Sequence, residues 1–140
     1  MVTQITCTCC VAGKGAGKLL TTMQPISFWG GVDPAKGTVS DPRHELFGES
    51  IARRVLAFPY GKGSTGAPLV MMELVRMKKA PAALVQVAVD PLQVAGPVIC
   101  RHFYSESIPV VTIRSHDFKL LQTGMHAIID GDKEEIILSK

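Results

Sequence analysis

Between Pro59 and Pro68 the chain reads Pro-Tyr-Gly-Lys-Gly-Ser-Thr-Gly-Ala-Pro. The run Ile51–Phe58 before it is rich in β-formers, and the run Ala67–Lys79 after it is helix-like and almost wholly apolar. Three glycines between two such runs let a strand turn sharply into a helix and let the backbone approach a ligand closely. Pro68 suits the first turn of that helix, and Arg76, Lys78 and Lys79 suit its C-terminal end. The start of such a helix presents unpaired N–H groups and a partial positive charge, which suits an anion. Any fold for this chain must therefore contain a strand–loop–helix unit with Ser64 near the junction.

The remaining segments surround that unit. Thr3–Leu20 reads as glycine-interrupted strands bending round a compact β-layer. Ala82–Val89 is continuously apolar except for Gln86, as a buried strand would be, and Asp90-Pro91 ends it. Leu92–Ser105, with Gly96-Pro97 inside, predicts a helix with a disturbed start. Pro109–Ile113 predicts a short strand, and Met125–Asp130 with Glu134–Leu138 predict a hairpin across Gly131-Asp132. The result is one mixed α/β domain over residues 1–140, a compact β-layer or barrel flanked by helices.

Composition narrows the function. With 46% hydrophobic and 19% charged residues the chain is an ordinary globular one, and a net charge of +3 with scattered cations and few aromatics argues against nucleic acid. No apolar run approaches membrane-spanning length, and the N-terminus carries no secretory pattern. Cys7, Cys9 and Cys10 form a single C-x-C-C cluster with Cys100 far away, which is poor spacing for zinc. They read as reduced thiols of a cytoplasmic protein, with no metal ligand on this chain.

Two further stretches carry candidate site residues. Pro25-Ile-Ser-Phe-Trp-Gly-Gly-Val-Asp-Pro34 places Gly30 and Gly31 where backbone N–H groups could meet a ligand, with Ser27 and Asp33 as polar neighbours and Phe28 and Trp29 beside them. Trp29 by itself reads more simply as a hydrophobic anchor for a surface loop. Lys36–Glu49 reads as a long loop carrying His44, a residue that titrates near neutrality.

Three chemistries compete for the glycine loop. Gly61-x-Gly63-x-x-Gly66 matches a dinucleotide fingerprint with Asp90 downstream, but Arg53-Arg54 in the preceding strand is wrong for a strand buried on both faces. Gly17-Lys18 fails as a phosphate loop because Ala12 and Leu19 stand at the defining positions. A nucleophile elbow needs glycine two residues before Ser64, where Lys62 stands, and no spacing marks His44, His102, His116 or His126 as its base. The third chemistry makes Ser64 a proton acceptor. Its oxyanion would be stabilised by loop N–H groups, a helix N-terminus and Lys62, with the electrophile coming from a partner.

Taken together, Pro25–Pro34, Asp41-Pro-Arg-His44 and Gly61-Lys-Gly-Ser-Thr-Gly66 resemble the small, swivel-domain subunit of aconitase X over nearly the whole chain. The resemblance implies a swivelling β/β/α domain docked on a large subunit that holds an iron–sulfur cluster or iron. It implies Ser64 as catalytic base. Gly63, Thr65, Lys62, Trp29, Gly30, Gly31, Ser27 and His44 are expected around a small hydroxy-acid substrate. Where many aconitases have a second serine and then arginine, this chain has Thr65 and Gly66. The implied reaction is dehydration of cis-3-hydroxy-L-proline, with mevalonate 5-phosphate as the alternative substrate. Outside catalysis, the same loop would suit an anion- or metabolite-binding module.

Overall fold

Strand β3 (Lys14–Thr21) is the hinge of the architecture. Its first half, residues 14–18, pairs antiparallel with β9 (His126–Asp130), and its second half, residues 19–21, pairs parallel with β6 (Val55–Ala57). One strand thus belongs to two layers. Such bending brings backbone against backbone, and glycine permits it: a Cβ at Gly15 would overlap the Ala82 carbonyl, and one at Gly17 the Arg53 carbonyl. The computed structural model describes residues 2–62, 65–89 and 91–140.

The eight-stranded sheet runs β1-β10-β9-β3-β6-β7-β8-β2. Here β1 is Val2–Thr6, β2 Thr8–Val11, β7 Ala83–Gln86, β8 Val110–Thr112 and β10 Glu135–Ser139. The two ends of this order, β1 and β2, are separated in the chain only by buried Cys7, so the sheet curls back on itself. Helices α2 (Ala67–Arg76) and α3 (Pro91–Tyr104) cross from β6 to β7 and from β7 to β8 and pack together.

Alternation along the strands makes two cores. Leu20, Leu56, Leu84 and Val110 face the helices with Val70, Met71 and Leu74. Their sequence neighbours Leu19, Val55, Ala83 and Val111 face Ile129, Ile136 and Leu138, with Phe118 of the short α4 (Ser115–Phe118). The arrangement is a mixed α/β fold with a large curled sheet flanked by helices, as expected.

Several boundaries differ from expectation. The strand expected over Ile51–Phe58 is only Val55–Ala57, and its three residues are all buried. Arg53-Arg54 lie in the preceding turn, where Arg53 has φ 58° and reaches solvent and Arg54 Nη2 donates to the Leu19 carbonyl at 3.1 Å. Charge in the strand is therefore not what separates this loop from a dinucleotide site. The strand order does so: the parallel set β3-β6-β7-β8 ascends without the reversal that creates a dinucleotide crevice.

The apolar residues of α2 go nearly all the way round, which predicts burial on most sides, yet Ala67, Val70, Met71 and Leu74 form one buried face and Leu69 is 61% exposed. It ends at Arg76, before Lys79, because Lys78 turns left-handed and the Lys79 N–H caps the Leu74 carbonyl. The loop expected over Lys36–Glu49 contains β5 (Thr38–Val39), paired with β4 (Val32–Asp33) and stitched by Ile51 N–H to the Gly37 carbonyl at 2.8 Å. Asp90 lies outside the described residues.

Candidate functional site

Strands β3 and β6 run parallel and side by side, with Thr21 opposite Ala57, so the segments leaving them emerge together at one edge of the sheet. The two segments are zipped. Ile26 and Gly61 form a parallel bridge, and the Lys62 N–H donates to the Ile26 carbonyl at 2.9 Å. A second contact fixes the far end of the glycine loop: a Cβ at Gly66 would fall inside the Trp29 indole. Gly66 is glycine because the ring occupies that space.

The Pro25–Pro34 stretch makes one kinked helical turn, α1 (Phe28–Gly31), in which Trp29 is extended and Gly30 has φ 79°. Phe28 anchors it: the side chain is buried and its ring meets Phe58 edge-on with centroids 6.1 Å apart. Trp29, expected as the anchor, is 56% exposed and instead forms a wall over Gly66. Phe28→Ala should cost about 3–5 kcal/mol. Trp29→Ala should change stability by less than about 1 kcal/mol. Urea denaturation of the two variants checks both values.

Residues 41–46 close the third side. The Asp41 side chain accepts the Arg43 N–H at 2.9 Å, and its carbonyl accepts the His44 N–H at 3.1 Å. His44 is a strut: Nδ1 accepts the Leu46 N–H at 3.0 Å, which leaves Nε2 to donate to the Pro25 carbonyl at 3.2 Å. The expected polar neighbours divide. Ser27 Oγ donates to the Trp29 carbonyl, whereas Asp33 is used inside its own turn, accepting the Ala35 and Lys36 N–H groups.

Two adjoining grooves result. One, about 350 Å³, is lined by Gln24, Pro25, Asp41, Arg43, His44 and Lys62. The other, about 510 Å³, is lined by Ser27, Trp29, Gly30, Gly31, Asp41, Pro42, Arg43 and Lys62. The structure thus brings together Ser27, Trp29, Gly30, Gly31, His44 and Lys62, all expected at the site. Thr65 is exposed at the loop's end, and Gly63 and Ser64 lie outside the described residues. Sequence reasoning missed Asp41 and Arg43 as groove residues, although both stand in the Asp41-Pro-Arg-His44 motif. Their common wall with Lys62 is the signal that only the fold reveals. The Arg43 backbone N–H holds the Asp41 carboxyl below the usual carboxylate range, helped by the Arg43 guanidinium and Lys62.

A larger groove, about 790 Å³, opens between β1 and the end of β8, and none of the expected site residues lines it. Among the described residues no three His, Cys, Asp or Glu side chains gather to hold a metal. The thiols also suit ligation poorly. Burial pushes Cys7 and Cys100 up to about 11 and raises Cys9 and Cys10, which keeps all four protonated near neutrality. These residues do not fit an iron or iron–sulfur site. Replacing Cys7, Cys9 and Cys10 together with serine should leave the metal content of a complex with the expected large subunit unchanged. Metal analysis checks this, and loss of iron would overturn it.

Residues 4–138 match a family described as the aconitase X swivel domain. The chain is 36% identical over 134 residues to the phosphomevalonate dehydratase small subunit of Methanothermobacter thermautotrophicus, covering 95% of this chain and 98% of that one. It is also 36% identical over 121 residues to the cis-3-hydroxy-L-proline dehydratase of Hypocrea jecorina, covering 86% of this chain and 20% of that longer protein. The crystal structure of Thermococcus kodakaraensis aconitase X in its holo form superposes with a TM-score of 0.87 at 33% identity and covers 99% of both chains.

Proposed function

The chain belongs to the aconitase X swivel-domain family, and from that premise we propose that it works as the small subunit of a dehydratase whose substrate is cis-3-hydroxy-L-proline. The observation that carries the small-subunit reading is the end-to-end match to a protein that is itself a separate small subunit. The substrate reading is supported by the groove wall, which offers cations in Arg43 and Lys62 and an ionised carboxylate in Asp41. That mixture suits a zwitterionic amino acid, whereas a carboxylate-plus-phosphate substrate would meet Asp41 unfavourably. Mevalonate 5-phosphate is the second reading, favoured by the names of the archaeal relatives.

In the proposed reaction the substrate loses a proton from the carbon bearing the carboxylate and a hydroxyl from the neighbouring carbon. Ser64 receives the proton. Lys62 and backbone N–H groups of the loop make its oxyanion accessible near neutral pH. The iron–sulfur cluster or iron expected for the family would supply Lewis-acid chemistry and is assigned to the large subunit. Trp29, Gly30, Gly31, Ser27, His44, Gly63 and Thr65 are the residues proposed to bind the substrate on this chain.

Among the described residues no helix is long and apolar enough to cross a membrane. The free thiols suit a reducing compartment, and we place the protein in the cytoplasm, without a nucleic-acid partner. The test is co-expression with the candidate large subunit and measurement of turnover for both substrates. Faster dehydration of cis-3-hydroxy-L-proline supports the first reading, and faster dehydration of mevalonate 5-phosphate replaces it with the second. Failure to bind any large subunit, with a small anion held at the loop, would favour a metabolite-binding module.

A further inference from the structure

We infer that Arg43 is the receptor on this chain for the substrate's carboxylate. The inference rests on the dehydratase reading above, which counts Arg43 only as one of the groove's cations, and gives that residue a specific task. Arg43 lines both grooves at the zipped loops, so an anion in either meets the same guanidinium. The base of the arm is fixed. The Arg43 N–H is bound to the Asp41 carboxylate at 2.9 Å, and the next residue, His44, is pinned through both ring nitrogens.

The head of the arm is available. Its side chain is 92% exposed, and Nε stands 3.5 Å from Asp41 Oδ1, longer than a charge-assisted hydrogen bond. Asp41 therefore orients the guanidinium without saturating it. The groove also has room beside it, since a Cβ at Gly30 would meet nothing within 4 Å. Gly66, by contrast, has no space for a side chain of its own, because Trp29 fills it. A planar guanidinium held this way donates two parallel hydrogen bonds to a carboxylate, which a lysine at the same place cannot reproduce.

The experiment uses the assembled two-subunit enzyme and whichever of the two substrates it dehydrates, compared with that substrate's primary carboxamide. In the wild type the acid should be strongly preferred. Arg43→Gln should raise KM for the acid by about 10- to 100-fold, leave KM for the amide nearly unchanged and so erase the preference. Arg43→Lys should restore part of it. An unchanged acid-to-amide ratio in Arg43→Gln, while Ser64→Ala still lowers turnover by orders of magnitude, would overturn the inference and leave the dehydratase reading standing. Dissociation of the Arg43→Gln complex on size-exclusion chromatography would also overturn it, by making Arg43 an interface residue. Absence of turnover with both substrates in the wild-type complex would overturn the dehydratase reading, and this inference with it.

Discussion

Ser64→Ala is expected to lower kcat of the two-subunit enzyme by about 10²- to 10⁴-fold, the usual contribution of a positioned general base. The complex should still assemble and melt at nearly the wild-type temperature, because the change removes one hydroxyl. The reasoning is electrostatic. A serine hydroxyl is too weak an acid to serve as an oxyanion in water near neutral pH. It can do so only where several N–H groups and a cation are already aimed at it. Lys62 stands two residues before Ser64 in the sequence, and its backbone is tied to Ile26. Single-turnover kinetics would separate proton transfer from binding. Unchanged turnover in Ser64→Ala would remove the residue from the proposed role and move the base to the large subunit.

The second large effect is expected at Gly66. Its Cα sits against the Trp29 indole so closely that even an alanine methyl overlaps the ring. Gly66→Ala must therefore push the indole outward or lift the end of the loop. Because Gly66 immediately precedes α2, a shift there is passed to the start of the helix and to Thr65. Displacement of about 1 Å at a reacting group is enough to cost on the order of 10²-fold in rate. We expect kcat/KM to fall by about that factor. Stability should change much less, since Trp29 is more than half exposed and can move without opening either core. Shrinking the obstacle should relieve the clash, so Gly66→Ala combined with Trp29→Ala should destabilise no further than Trp29→Ala alone. Wild-type kcat/KM in Gly66→Ala would show that the contact does not place the loop.

Much of this architecture was legible before any coordinates. Strong periodicity and turn chemistry marked α2, β7, α3, β8 and the final hairpin. Gly15, Gly17, Gly30 and Gly66 stood where the backbone proved to turn or approach something closely. Errors gathered where tertiary contacts override local pattern. The apolar run of α2 predicts burial on most sides, but the fully buried residues form one face and Leu69 is left in solvent. Arg53-Arg54 look like part of a strand until the left-handed Arg53 ends that reading. Phe28 and Trp29 are adjacent and equally apolar in sequence; a bend of the chain decided that Phe28 enters the core and Trp29 does not.

Residue order alone supplies the kinds of group available: a serine in a glycine loop, a lysine two residues before it, and a glycine pair next to an indole. Those identities depend on local chain chemistry, which is written in residue order. Which distant segments share a wall is set by the fold. Asp41 and Arg43 meet Lys62, and Gly66 meets Trp29, because β3 and β6 run parallel and release their loops at the same edge. Strand pairing between residues some 36 positions apart, such as Leu19 with Val55, is set by the burial of both faces of the sheet. No local pattern in the 41–44 turn or the glycine loop carries that information.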